Sequence, residues 1–208
     1  VVANNVLTSI DDSTVLAGVV HSDAYNAADG LDAGDYTVST TDADVTLTTL
    51  SDAAIMAISV GVGASGTVGI QASLFGNVIT NSVEASITGG SMVRSGGYAD
   101  LTASDQSQIT SFGLSIAASG TAAVSAIIGA NVITNSVIAE IAGSTVAAGT
   151  TLDIDAENKS TIFSFAGGVA ASGGVAVQVT VAGNVVANTT KSSIRNEDIL
   201  DQYEYVIG

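Results

Sequence analysis

No cysteine, proline or tryptophan occurs in this chain, and its only fixed cations are Arg94, Lys159, Lys191 and Arg195 against 20 acidic residues. Each absence excludes something. Without cysteine there is neither a disulfide framework nor a thiolate metal site. Without proline the backbone N–H groups stay free for long, uninterrupted ladders. Aromatic residues amount to 4%, too few for an aromatic-centred core. The formal charge of −16 excludes counterion-release binding to nucleic acid and sets the chain against anionic membranes. It also keeps long sheets soluble and resists edge association. No apolar run approaches the ~18 residues of a membrane helix, so no membrane span is expected. No signal peptide is seen, so a secreted protein would be represented here by a mature or internal segment.

What is present is repetition. Apolar residues reach 47%, mostly Ala, Val and Ile, beside 23 Gly in a chain of 208 residues. That suits many thin layers, and an all-β architecture of this size need not split into domains. Asn81, Asn135 and Asn188 are spaced by 54 and 53, as are Ser65, Ser119 and Ser172 in ASGT, ASGT and ASGG. Two landmarks in different parts of the unit give one period, the signature of an elongated array. Residues 1–18 form a partial repeat, since NNVLTSI at Asn4–Ile10 aligns with NSVEASI at Asn81–Ile87 and NSVIAEI at Asn135–Ile141. Val45 to Leu152 and Ile55 to Ile162 both span 107 residues, so the array is in phase over 45–194. The interval from Asn4 to Asn81 is 24 residues too long for the period of 53. The excess lies in an acidic insertion, 19–44, with the only histidine and six aspartates. It reads either as an additional coil or as a loop standing off the array, where repeat proteins often carry binding. Residues 195–208, RNEDILDQYEYVIG, leave the repeat and read as a cap or as a strand donated to a neighbour.

Inside the unit the period is two. Ile58, Val60, Val62 and Ala64 alternate with Ser59, Gly61, Gly63 and Ser65, and the alternation resumes from Thr67 after the turn. This is strand patterning. In TLDIDAEN, Leu152 and Ile154 point one way while Asp153 and Asp155 point to solvent. The fold expected is an all-β, elongated parallel β-solenoid (β-helix) built from ~53-residue repeats. A unit of this length divides into three coils of about 18, each repeat advancing the array by roughly 14 Å; two wider coils, or one coil with a projecting hairpin at ASGT, remain open. Asn81, Asn135 and Asn188 suit turns between faces, where Asn tolerates left-handed backbone and stacks on itself.

The order NSVxAxI, GSTVxAG, TLDIDAEN, GGVAASGGVAVxV resembles the repeat region of leukotoxin-like filamentous adhesins, large exoproteins of Gram-negative anaerobes associated with type V or two-partner secretion. The resemblance covers about 45–194 and implies a secreted or surface-attached β-helical shaft. It brings no catalytic residues with it.

Candidate chemistry is thin. His21 has no positioned partners for a nucleophilic triad. Polysaccharide cleavage on a β-helix would want carboxylates beside cations and aromatics that hold sugars, and here the cations are scattered. No enzyme is expected. Calcium is the metal that clustered carboxylates would suit: Asp29, Asp32 and Asp35 in DGLDAGD, with Asp42 and Asp44 in DAD. Neither segment matches the EF-hand or the GGxGxD repeat, and turns account for most Asp/Gly clusters. GVGASG lacks the lysine of a phosphate loop. The expected function is therefore that of a structural segment of a bacterial cell-surface or secreted adhesin, mediating attachment to a protein, cell-surface or matrix partner, or extracellular scaffolding. Alternatives are a self-assembling filament subunit, joined end to end or through strand donation by Val1–Val6 or Ile199–Gly208, and a polysaccharide-active β-helical enzyme.

Overall fold

The structure, a computed structural model, describes residues 1–21, 36–38 and 42–195. In these the chain is all-β and lays its repeats side by side as four rungs. The first holds β1 (Val2–Asp11) and β2 (Thr14–Ala17), followed by the short strands β3 (Val19–His21) and β4 (Tyr36–Val38). The second holds β5 (Val45–Ser65), β6 (Val68–Thr88) and β7 (Met92–Ser95). The third holds β8 (Ala99–Ser119), β9 (Ala122–Ile133), β10 (Ser136–Ala142) and β11 (Thr145–Ala148), and the fourth β12 (Leu152–Ser172), β13 (Val175–Val186) and β14 (Thr189–Arg195).

Apart from β3 with β4, every pairing is parallel and in register with the repeat. Val45, Ala99 and Leu152 lie side by side, as do Ser65, Ser119 and Ser172. One sheet is β12-β8-β5; a second joins β13-β9-β6 and β14-β10-β6-β1; a short third, β11-β7-β2, closes the corner between them. Each repeat therefore contributes one rung. It runs out along the first sheet, turns at Ser-Gly, returns along the second and closes through the short strand. Of the divisions left open, the pairing fits neither three coils of 18 nor two wider ones: the complete rungs pair at intervals of 53 or 54 residues, and a repeat advances the stack by ~4.8 Å rather than ~14 Å. The physical reason is that the strands are 21 residues long, far beyond the usual 5–6, so few corners are needed.

The two long sheets face each other. Near the corner closed by the short sheet, which we call the near half, the space between them is filled by Val45, Leu47, Ile87, Val93, Leu101 and Ile141. A second cluster holds Val83, Ala103 and Val137, and a third Ile79, Ile109 and Ile133. The corner itself needs left-handed backbone, supplied by Asp12 (φ 45°), Gly89 (φ 66°) and Gly143 (φ 56°) in successive rungs. Serines 13, 91 and 144 stitch it: the Ser13 amide donates to Ser91 Oγ, and the Ser91 amide to Ser144 Oγ.

The insertion leaves the stack after Ala17, paired with Ser95, and the chain rejoins at Val45, paired with Ala99. Departure and return thus fall on one corner, and the described part pairs antiparallel, Val19 with Val38 and His21 with Tyr36. Residues 22–35 and 39–41, on which the choice between an additional coil and a loop depends, lie outside the described residues. Arg195, expected to open the charged break after the array, is the last residue of β14 and pairs with Ala142.

Candidate functional site, an uncharged apolar wing

The polar interior begins with the asparagines. Asn81, Asn135 and Asn188 do not sit at turns between faces. Asn81 lies within β6 and points inward; Asn135 lies between β9 and β10, and Asn188 between β13 and β14. They do stack: the Asn4 amide donates to Asn81 Oδ1, the Asn81 amide to Asn135 Oδ1 and the Asn135 amide to Asn188 Oδ1, at 3.2, 3.0 and 3.1 Å. Their side-chain amides donate across to the opposite sheet. Asp105, fully buried, accepts from Asn81 Nδ2 at 2.8 Å, Asn135 Nδ2 at 2.6 Å and Ser107 Oγ at 2.7 Å. One rung on, Asn158 takes the same place and accepts from Asn188 and Ser160. A second ladder runs Asn77 to Asn131 to Asn184, each step 2.8 Å. These ladders satisfy buried donors and acceptors, as polar groups out of water require.

Beyond them, towards the Ser-Gly turns, the usual arrangement is reversed. The inward positions become small or polar: Ser59, Gly61, Ser111, Gly113, Ser115 and Ser125, with Ser125 donating to Ser115 at 2.8 Å. Phe75 and Ile127 are the large apolar side chains there, and Phe75 fits only because Gly129 faces it, where a Cβ would lie 2.1 Å from its ring. The large apolar residues face outward. On the first sheet, Ile58, Phe112 and Phe165 form one row and Val62, Ile116 and Val169 another. On the second, Ile70, Val124 and Val177 align, as do Leu74, Ile128 and Val181. Ile58 is 68% exposed, Phe165 57% and Ile70 72%. Phe112 and Phe163 meet with ring centroids 5.7 Å apart. Around them Ile58, Val60, Phe112, Leu114 and Phe165 line a shallow hollow of about 270 Å³.

Charge follows the same division. No charged residue lies between Asp52 and Glu84, between Asp105 and Glu140, or between Lys159 and Lys191, stretches of 31, 34 and 31 residues. These stretches run through the far half of every complete rung, here called the wing. Cations and carboxylates pair in the near half. Glu140 Oε1 accepts from Arg195 Nη2 at 2.8 Å, and Oε2 from Lys191 Nζ at 3.1 Å. The Arg195 guanidinium, with help from Lys191, outweighs the cost of burial and lowers the Glu140 carboxyl from its ordinary 4.5 to about 2. Lys159 pairs with Glu157 at 2.7 Å.

The residues singled out for calcium are only partly in view. Asp29, Asp32 and Asp35 lie outside the described residues. Asp42 and Asp44 are exposed, and Asp44 Oδ1 accepts from the Tyr98 amide at 2.9 Å, which secures the neighbouring rung. Among the described residues no group of three metal-ligating side chains converges. Within Val1–Val6, one of the two proposed donor segments, Val2–Val6 already pairs with Ile79–Val83 of its own chain, and Ile199–Gly208 lies outside the described residues. The wing went unremarked in the sequence, although the periodic gaps in charge mark it. No helix of the described residues is long and apolar enough to cross a membrane. No family model, curated protein or solved structure matches the chain.

Proposed function

We propose that the four rungs are successive coils of one parallel β-solenoid, and that the chain is a structural segment of a bacterial secreted or cell-surface adhesin of the leukotoxin-like filamentous kind. The observation that carries this is the in-register stacking of equivalent residues at intervals of 53 and 54, with continuous asparagine ladders between rungs. Such a stack extends by adding identical units, each contacting only its neighbours. Its proportions support a role in presenting surface. A rung of 53 residues adds only ~4.8 Å along the axis, while a 21-residue strand reaches roughly 70 Å across it. A chain built this way is a poor spacer and a wide blade, so presentation of lateral surface is the role it suits. Beads coated with the protein are expected to be retained on cultured cells or on extracellular matrix, and free protein to compete. Retention no better than with albumin-coated beads on every surface would sink the adhesive reading.

End-to-end assembly is the second reading, favoured by one observation. Among the described residues β5, β12 and β13 are each paired on one side only, which leaves rows of backbone donors and acceptors at both ends of the stack. Negative-stain microscopy across a concentration range separates the two: fibres that lengthen with concentration support assembly, and single particles throughout remove it.

A further inference from the structure

We infer that the wing is a self-association surface, on which a second copy of this chain lies face to face with the first sheet, wings overlapped and charged halves pointing in opposite directions. This is independent of the adhesive reading, since it concerns one copy against another.

Three features select that occupant. The first is charge. Two chains of −16 can approach only where carboxylates stay apart, and the wing carries none. On the outer face of the first sheet the near half bears Asp52, Asp100, Asp153, Asp155 and Glu157 against Lys159 alone. Superposed in the same direction, two such faces would press like charges together in a dry contact. Turned end for end and overlapped at the wings, they place the charged halves roughly 30 Å apart, well beyond a Debye length of ~8 Å.

The second is size and shape. About ten residues of strand over three rungs make a face of roughly 33 by 14 Å, or about 460 Å². A contact through the first sheet uses one such face, about 460 Å² per partner and about 900 Å² in all, which is the low end of specific interfaces, where association is weak and transient. A two-fold contact brings the same patch against itself, and the Phe112 hollow provides a recess for an outward side chain of the partner.

The third is the open edges. Lipid would also cover an apolar wing with two apolar faces. It would place in hydrocarbon the edges of β5, β12 and β13 that no other described strand pairs, where backbone groups find no partner. A second copy on the face leaves those edges in water.

The test is sedimentation velocity of the full chain from 1 to 100 µM. Wild-type protein is expected to associate, with little loss between 0.05 and 0.5 M NaCl. A variant carrying Ile58→Ser, Phe112→Ser and Phe165→Ser, combined with Ile70→Ser, Val124→Ser and Val177→Ser, is expected to associate at least ten-fold more weakly. Its circular dichroism is expected to match wild type, because these side chains face outward. Association that persists in this variant overturns the inference in favour of end-to-end stacking. A wild-type chain that stays monomeric at 100 µM overturns it too, and flotation of that monomer with phosphatidylcholine vesicles would assign the wing to lipid. A second readout does not depend on the variant folding. Gly66 at the turn has open space around it, so Gly66→Cys can carry a nitroxide. Overlapped, opposed wings place two such labels roughly 35 Å apart. A separation below about 20 Å, the outcome for wings pointing the same way, overturns the geometry.

Discussion

The two halves of each rung are made of the same strands and obey opposite rules. In the near half Leu101, Val83 and Ile141 point inward while Asp52, Asp100 and Asp153 point out; in the wing Ser115 and Gly113 point inward while Phe112 and Ile58 point out. The strand is continuous through the change, and so is its register. Backbone pairing therefore sets the geometry of both halves, and burial of apolar area accounts for the stability of only one. The near half holds the stack together; the wing is carried out from it by backbone hydrogen bonds, small side chains and asparagine ladders.

The largest test of that division compares two substitutions of similar chemistry. Leu101 is fully buried among Val45, Ile87 and Val93. Leu101→Ala is expected to cost about 3–4 kcal/mol, as cavity-forming changes do in a core that cannot collapse. Phe165→Ala, in the wing, is expected to cost under about 1 kcal/mol at a concentration where the chain is monomeric. Urea unfolding of both reports the difference. Equal costs would mean that the wing buries its apolar face after all.

The next test asks what replaces aliphatic packing where the interior turns polar. Asp105→Ala strands the Asn81 and Asn135 amides, both buried, and is expected to cost about 3 kcal/mol, the penalty of buried donors left without acceptors. Asp105→Asn, which copies the residue that stands at 158 in the next rung, is expected to recover most of it. Thermal melts of the pair decide: an equal loss in both would show that the carboxylate charge matters beyond its acceptor role.

Much of this was open to reading in the sequence. The spacing of 107 between Val45 and Leu152 placed both strands in one register two rungs apart, and the 24 extra residues before Val45 located the excursion. What period two cannot tell is which face lies inside, because it only states that Ile58 and Ser59 look opposite ways. Preference for buried Ile and Val would place Ser59 outside; the structure buries the smaller set. The charge gaps after Asp52, Asp105 and Lys159 carried that information, since a face destined for water would be expected to hold a charge within 31 residues. The number of coils was hidden for a different reason. Alternation runs unbroken through 21 residues, and the corners are marked by so little, Asp12, Gly89 and Gly143 on one side and Ser-Gly on the other, that 18-residue coils fitted equally well. Of the calcium residues, Asp44 turns out to hold the Tyr98 amide, a role that spacing does not announce.

A smaller effect tests how tightly the far turns stack. A Cβ on Gly120 would lie 2.3 Å from the Gly66 carbonyl oxygen of the preceding rung, whereas one on Gly66 meets nothing within 4 Å. The obstacle at Gly120 is backbone and cannot rotate away. Gly120→Ala is expected to cost about 2 kcal/mol, in the range of overpacking, and Gly66→Ala close to nothing. Hydrogen exchange would place the loss in the wing, with the near-half amides still protected. Loss spread over both halves would show that they open as one unit.

The smallest effect belongs to the near half alone and appears only in acid. Glu140 is held near 2 by Arg195 and Lys191, against an ordinary 4.5. A carboxyl whose folded pKa is depressed contributes stability above its unfolded value and loses it as pH falls through the folded one. The Glu140 contribution is therefore complete above about pH 4.5 and disappears between there and about pH 2. Taken whole, the shift would correspond to roughly 3 kcal/mol. Both cations are about half exposed, 46% each, and water screens them, so about 1–2 kcal/mol is expected. Glu140→Gln removes this part of the acid dependence, and the difference between wild type and variant should shrink as pH drops from 5 to 2. Because the wing carries no charge over 106–139, exchange of its inner amides measured relative to the near half should not follow that difference. If the wing amides respond as strongly as those of β10 and β14, the two halves share one stability and the division between them is only one of surface.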